Sequence, residues 1–241
     1  MSDLVAIVSG GSGGIGAATC RALAAQGMAV LVGYASNQDG AEKVAASCDG
    51  TAEAIQLDVT DEDQVDAAVD RAGELGDLGV VVTAHGIADD DLLMRLTPER
   101  WDRTMAINLR GVYLIARAAL RPMVRNRRGR IINIGSFVGL RGNAGQSAYG
   151  AAKAALTGFS KSLARELAGK GVTVNVVAPG FVETSMTDQL PDDLLESYLE
   201  RTPIGRPVAA EEVAAAVRFL ASEEAAAITG AVIPVDGGAG M

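Results

Sequence analysis

Short apolar runs and longer amphipathic stretches take turns along this chain. The short runs fall at residues 4–9, 28–33, 52–58, 79–83, 130–135, 172–177 and 231–235. They are almost continuously apolar, the pattern of strands covered by helices on both faces. Between them, at 14–26, 61–75, 98–127, 147–169 and 210–221, Ala-rich segments return an apolar residue every three or four positions, which is helical spacing. Thr97-Pro98 supplies an N-cap with Pro at the first helical position. This alternation predicts an α/β fold: a doubly wound parallel sheet of seven strands, helices on both faces, in a single domain over residues 1–241.

Composition supports one sizeable core, since 49% of the 241 residues are hydrophobic. There is no internal repeat, low-complexity tract or linker. One stretch, residues 181–207, is irregular and holds three prolines. Loops of this length in compact domains are commonly functional, so it reads as a substrate lid, with an ordinary surface excursion as the alternative. A net charge of -9 argues against nucleic-acid binding. Two cysteines, Cys20 and Cys48, and a single histidine offer no metal-ligand spacing, and isolated thiols suit a reducing compartment. No apolar run reaches the roughly 20 residues that span a bilayer. The opening residues carry an acid and run straight into a first strand, unlike a signal peptide. The expected setting is the cytoplasm.

Chemistry begins at Ser9–Gly16, SGGSGGIG, directly after the first strand and at the opening of a helix. Glycines there let a pyrophosphate approach the helix N-terminus, where free N–H groups and the helix dipole favour negative charge. The loop parses in two ways: Gly11, Gly13 and Gly16 in one spacing, Gly10, Gly14 and Gly16 in another. Asp58-Val59, at the end of the third strand, offers a carboxylate to an adenine amino group, or else a helix N-cap. Thr83-Ala84-His85-Gly86 ends the fourth strand, on the rim where such sheets bind ligands.

Tyr149 and Lys153 are four residues apart and therefore share a helix face. A free phenol with a pKa of about 10 is a poor acid–base group at neutral pH. A neighbouring ammonium lowers that value. Ser136 follows the fifth strand, placed to donate to a carbonyl oxygen as charge develops. Asn108, in the long helix before that strand, is a candidate for holding a water that links Lys153 to solvent. Each has a bland reading alone, but their order after a Gly-rich turn is specific.

The ordered set Ser9-Gly10, Gly14-Ile15-Gly16, Asn108, Ser136, Tyr149-x-x-x-Lys153 and Pro179-Gly180 resembles the short-chain dehydrogenase/reductase family over essentially the whole chain. Residues 105–123, 129–167 and 174–187 are similar to its 3-oxoacyl-(acyl-carrier-protein) reductases. The resemblance selects Gly10, Gly14 and Gly16 as the family glycines. It implies a Rossmann-type fold and a Ser136–Tyr149–Lys153–Asn108 tetrad, with Tyr149 as proton donor and Lys153 on the nicotinamide ribose. Gly10, Ser12, Gly13, Gly14, Ile15, Gly16, Ser36, Asn37, Asp58, Val59, Ala84, His85 and Gly86 would bind the dinucleotide. Pro179, Gly180, Val182 and Thr184 would face its nicotinamide end.

Two departures bear on this. The family usually has Asn-Asn-Ala-Gly where this chain has Thr83-Ala84-His85-Gly86, so His85 either touches cofactor or substrate and adds pH dependence near neutrality, or merely fills space. NADP-preferring relatives often carry a base where Gly13 stands. Yet the second strand runs out as Gly33-Tyr34-Ala35-Ser36-Asn37, without the acid that would repel a 2′-phosphate, which favours NADP(H) over NAD(H). The basic cluster of Arg121, Arg125, Arg127, Arg128 and Arg130, with Lys170, is either a solvated helix end or a dock for an acidic acyl carrier protein. In the docking reading Arg128, Arg130 and Lys170 make the contacts. The implied reaction is NADPH-dependent reduction of a 3-oxoacyl thioester in fatty-acid or polyketide synthesis. The alternatives are reduction of a free small ketone, alcohol or aromatic polyketide, and a nucleotide-binding regulatory protein without catalysis. Family likeness also implies a homotetramer that pairs through the helices bearing Ala116–Leu120 and Ala151–Leu156.

Overall fold

In the computed structural model, residues 4–183 and 200–241 are described. Seven strands, β1 (Leu4–Ser9), β2 (Ala29–Tyr34), β3 (Ala52–Gln56), β4 (Asp77–Thr83), β5 (Gly129–Ile134), β6 (Val172–Pro179) and β7 (Val232–Val235), form one sheet. Their order is β3-β2-β1-β4-β5-β6-β7 and every pairing is parallel. The chain winds outward from β1 to β3, then restarts at β4 on the other side of β1. That reversal leaves a crevice at the carboxyl ends of β1 and β4.

Helices cover both faces, as the continuous apolarity of the strands requires. In β1, Leu4, Ala6 and Val8 pack against α1 (Gly14–Ala24), α2 (Gln38–Ala46) and, through Val213, Val217 and Leu220, the helix at Ala210–Ala221. Val5 and Ile7 point the other way, onto α3 (Glu62–Leu75) and the long helices that follow β4 and β5. Side chains of a strand alternate between faces, so a fully buried strand feeds two cores at once.

The segment expected as one helix over 98–127 is three pieces: α4 (Pro98–Met105), a π-turn (Ala106–Arg110) and α5 (Gly111–Asn126). Thr97 caps α4 as expected, its side chain accepting from Arg100 N. The π-turn adds a residue to the helical register, and such bulges recur at functional sites. After β5 come the four-residue α6 (Val138–Arg141) and the long α7 (Ser147–Leu167), while Ala210–Ala221 is α8. Of residues 181–207, those at 184–199 lie outside the described residues. The base of that excursion is tied: Val182 bridges Val208, and Val208 N donates to the Phe181 carbonyl at 2.9 Å.

A buried polar chain joins the sheet to α7. Thr83 Oγ1 donates to Asn133 Oδ1 at 2.9 Å, and Asn133 Nδ2 donates to Ser160 Oγ at 2.9 Å. Thr83, Asn133 and Ser160 are all but inaccessible, so each lost bond leaves a polar atom without water. Asn133→Ala is expected to cost about 2–4 kcal/mol, because it leaves both partners unpaired and opens a small cavity. Urea unfolding of the variant beside the parent measures it.

Candidate active site

The carboxyl ends of the central strands open onto a cleft of about 990 Å³ that reaches from the start of α2 to the residues after β6. Most of the expected cofactor positions line it: Gly10, Ser12, Gly13, Gly14 and Ile15 from the glycine loop, Ser36 and Asn37 after β2, Asp58 and Val59 after β3. Ala84, His85 and Gly86 after β4, with Gly180 and Val182 after β6, complete it. Gly16 and Pro179 shape the wall from behind. A Cβ on Gly16 would drive into the Gly10 carbonyl oxygen, and the Pro179 carbonyl accepts from Phe137 N at 2.9 Å. Thr184 lies outside the described residues.

The loop geometry decides which glycines are needed. Gly10 has φ +70°, and a Cβ there would meet His85 Cα and N at 2.8 Å. Gly13 is the opposite case: its backbone is extended, it caps α1, and a Cβ would meet nothing within 4 Å. The first turn of α1 has no acidic residue, so its positive end faces the cleft unopposed.

Asp58 is not a helix cap. Asp61 caps α3, accepting from Asp63 N and Gln64 N, while Asp58 Oδ1 accepts from Thr60 N and Thr60 Oγ1. That fold-back holds the Asp58 carboxylate at the cleft. Asn37 both lines the cleft and caps α2, accepting from Gly40 N at 3.0 Å.

His85 bridges two elements. The Ile107 carbonyl can only accept, so Nε2–H donates to it at 3.1 Å and Nδ1 accepts from the Ser9 hydroxyl at 2.6 Å. Burial, with the Lys153 charge, holds its pKa down to about 3. The pH dependence near neutrality that a histidine here suggests therefore does not arise from His85: the ring stays neutral and ties the end of β1 to the π-turn.

Asn108 sits in that π-turn, wholly buried. Its Nδ2 donates to the carbonyls of Ile87 and Thr104 at 2.9 and 3.1 Å, and its Oδ1 accepts from Ile87 N at 3.1 Å. The side chain clamps the strand-end loop, a role that the sequence did not suggest. Gly86 lets the clamp and the lysine come together: a Cβ there would stand 2.6 Å from Asn108 Oδ1 and 3.4 Å from Lys153 Nζ.

Ser136 lines the cleft and accepts from Val138 N at 3.1 Å, with its hydroxyl near enough to the Tyr149 phenol to lower that group's pKa. Lys153 is buried on the same face of α7. Its Nζ donates to the Ile134 carbonyl at 2.9 Å and lies 5.7 Å from the centre of the Tyr149 ring. Burial raises the Tyr149 pKa above its ordinary value, the Ser136 hydroxyl lowers it in part, and the Asp90 charge raises it further. Lys153 contributes no depression in this arrangement, contrary to expectation, and the phenol is protonated at neutral pH. Burial also brings Lys153 down to about 8.

The basic cluster does not present itself as expected. Arg130 is buried, with bonds to Glu223, the Ser222 carbonyl and the Gly129 carbonyl, and Arg128 is held by the same Glu223 at 2.7 Å. Both are matched to an acid within the chain, which removes Arg130 as an open contact. Lys170 is exposed, at the amino end of β6. Residues that line the cleft without having been foreseen include Ala35, Asp90 and Gln146, the last donating to Asp90 at 2.7 Å. Ala35 had a usable signal, since it directly follows the end of β2.

Against known proteins, residues 10–240 match the family model described as "Enoyl-(Acyl carrier protein) reductase". The 3-oxoacyl-[acyl-carrier-protein] reductase FabG of Escherichia coli K12 is 46% identical over 235 residues, 97% of this chain and 96% of that protein. The chain belongs to the short-chain dehydrogenase/reductase family. The FabG of Pseudomonas aeruginosa PAO1 is likewise 46% identical, over 238 residues with the same coverage. Among solved structures, a dehydrogenase/reductase from Sinorhizobium meliloti 1021 superposes with a TM-score of 0.94 at 36% identity, covering all of this chain and 96% of that one.

A buried ammonium opposes folding while it is charged. With the folded pKa at about 8 and the ordinary value at 10.5, the unfolded chain binds more protons between those values, so stability from this group rises with pH across that window. Lys153→Met is expected to stabilise the fold by about 1–3 kcal/mol at pH 7 and to erase that rise. Denaturant unfolding at pH 7 and pH 10 checks both.

Proposed function

We propose that this chain is an NADPH-dependent 3-oxoacyl-[acyl-carrier-protein] reductase of fatty-acid synthesis. The observation that carries the reading is Ser136 on the wall of a dinucleotide-sized cleft, with the Tyr149 phenol beside it and buried Lys153 behind Gly86 on the same wall. Two hydroxyls converge there, one of them a protonated phenol, which suits a carbonyl oxygen that gains charge and then a proton. The names of the FabG relatives support the same substrate class.

The cleft fits a nicotinamide dinucleotide: it has an acid-free helix N-terminus for the pyrophosphate, the Asp58 carboxylate for adenine and no acid between Tyr34 and Gln38 at the end of β2. When bound, that cofactor supplies the hydride. Ser136 holds the ketone oxygen, and Tyr149 donates its proton there as the oxygen gains charge. Lys153, fixed by the Ile134 carbonyl, holds the ribose and steadies the phenolate left behind. The absence of a ribose-binding acid favours a 2′-phosphate, which is met by Ser36, Asn37 and the amino end of α2.

The carrier docks at the basic edge that includes Lys170, at the opposite end of β5 from Ser136. A six-residue strand spans about 20 Å, so the acyl group must ride on a long arm. The enzyme works as a homotetramer in the cytoplasm. The outward face of α7, with Ala151, Ala154 and Gly158, permits close helix approach, and Leu92, Leu93 and Met94 are exposed apolar residues that an assembly would cover. The buried Ala116, Ala119 and Ala152 serve the chain's own core instead. Among the described residues no helix is long and apolar enough to cross a membrane, and none group into a metal site.

Initial rates of NADPH oxidation with carrier-bound and free 3-oxoacyl thioesters, at low and high salt, test the reading. A free ketone and a 2-enoyl thioester distinguish the competing reactions. Tyr149→Phe is expected to lower kcat by at least about a hundredfold while NADPH binding persists, since one general acid is removed. Parent-like turnover would sink the mechanism. Gly13→Arg, placed in open space, is expected to tighten NADPH about three- to tenfold and to leave NADH nearly unchanged, as read by fluorescence titration.

A further inference from the structure

Beyond Ser136 the cleft continues into an annexe of about 230 Å³, whose lining includes Phe137, Asn143, Phe181 and Arg201, shared with the main cleft. Arg141, at the end of α6, faces it together with Arg201. Some arginines elsewhere on the surface, Arg71, Arg100 and Arg206 among them, are matched to carboxylates at 3 Å or less. These two form no ion pair among the described residues. Arg141 gives one Nη1 donor to the Ala239 carbonyl, which aims the guanidinium and leaves its remaining donors for other partners.

Two guanidinium groups set on one cavity of an acidic protein, with no carboxylate paired to either among the described residues, suit recognition of an anion better than packing. The guanidinium fork matches carboxylate and phosphate oxygens. Phe137 and Phe181 give the annexe an apolar side, and Asn143, whose amide donates to Gln146 Oε1 at 2.9 Å, lies on its lining as well. Arg141 follows Ser136 by five residues, four of them in α6, so its backbone stands on the order of 10 Å from that of Ser136.

We infer that the annexe lined by Arg141 and Arg201 binds an oxyanion carried by the substrate away from its ketone, and so selects substrates by charge. This rests on the ketoreductase reading of the cleft. The oxyanion has two chemical sources: the 4′-phosphate of a carrier-free pantetheine thioester, a carrier docked at Lys170 keeping its own phosphate at the far end of β5, or a carboxylate at the far end of the acyl chain.

Two matched pairs of substrates separate those sources. Acetoacetyl pantetheine and its 4′-phosphate differ only in the phosphate. The pantetheine thioesters of 3-oxohexanoate and 3-oxoadipate differ in the terminal carboxylate. At low salt, kcat/KM is expected to favour the charged member of one pair by at least about tenfold, and the favoured pair identifies the source. Raising the salt should shrink that preference. Arg201→Gln is expected to cut the ratio about threefold or more, and Arg141→Met with Arg201→Gln to bring it close to one. Arg141→Met also removes the bond to Ala239, so Arg201→Gln carries the test should the double variant fail to fold. Parent ratios near one in both pairs, or a preference that survives Arg201→Gln, would overturn the inference. No reduction of any of the four thioesters by the parent would instead defeat the ketoreductase reading itself.

Discussion

The site depends on how α7 is held against β5. Tyr149 and Lys153 can serve the cleft only if the helix that bears them keeps one height and one rotation over the sheet. Apolar packing resists separation but is tolerant of small slides, whereas hydrogen bonds between buried groups are not. Two such contacts fix the register: the Thr83–Asn133–Ser160 chain near the middle of the helix, and the Lys153 ammonium on the Ile134 carbonyl one turn beyond Tyr149. The second costs stability, because a charge is removed from water, and its depressed pKa shows that cost. Positioning is what the fold obtains in return, and the same lysine then serves the chemistry.

A second set of ties runs across the crevice. His85 joins the end of β1 to the Ile107 carbonyl, and Asn108 joins the π-turn to both backbone groups of Ile87. The extra residue of the π-turn makes this possible, since it turns Asn108 and the Ile107 carbonyl toward the strand ends while α4 and α5 keep their own packing. Glycine loop, β4 end and π-turn are thereby one hydrogen-bonded unit, and the cofactor cleft and the tetrad share a wall at Gly86.

Much of this was legible in the sequence because burial on both faces leaves the inner strands mostly apolar, and even half-exposed β3 keeps Ala52, Ala54 and Ile55 against the core. All seven strands and the five helices with strong periodicity are readable that way. α2 is less so: it buries only Ala41 and Val44, and its remaining positions read as polar loop. The π-turn is invisible because its residues, Ala106–Arg110, suit an unbroken α-helix equally well, and only the demands of Ile87 and His85 open it. Charge pairing across long separations was hidden too. Nothing local to Arg128 and Arg130 points to Glu223, nearly a hundred residues away. The tetrad was visible as a pattern, but the direction of the Tyr149 pKa was not, because desolvation is a property of the assembled site.

The base of the excursion after β6 is a closed clasp, Val182 against Val208 with the Phe181 carbonyl joined to Val208 N. The entropic penalty of closing a loop grows only with the logarithm of its length, so each doubling adds about 0.6 kcal/mol. Closing the clasp therefore costs nearly the same for a somewhat longer or shorter excursion, and Phe181, Val182 and Val208 hold the end of β6 in either case. The length of chain between the two halves of the clasp is thus free to differ among descendants of one chassis while the proton-donating apparatus stays fixed.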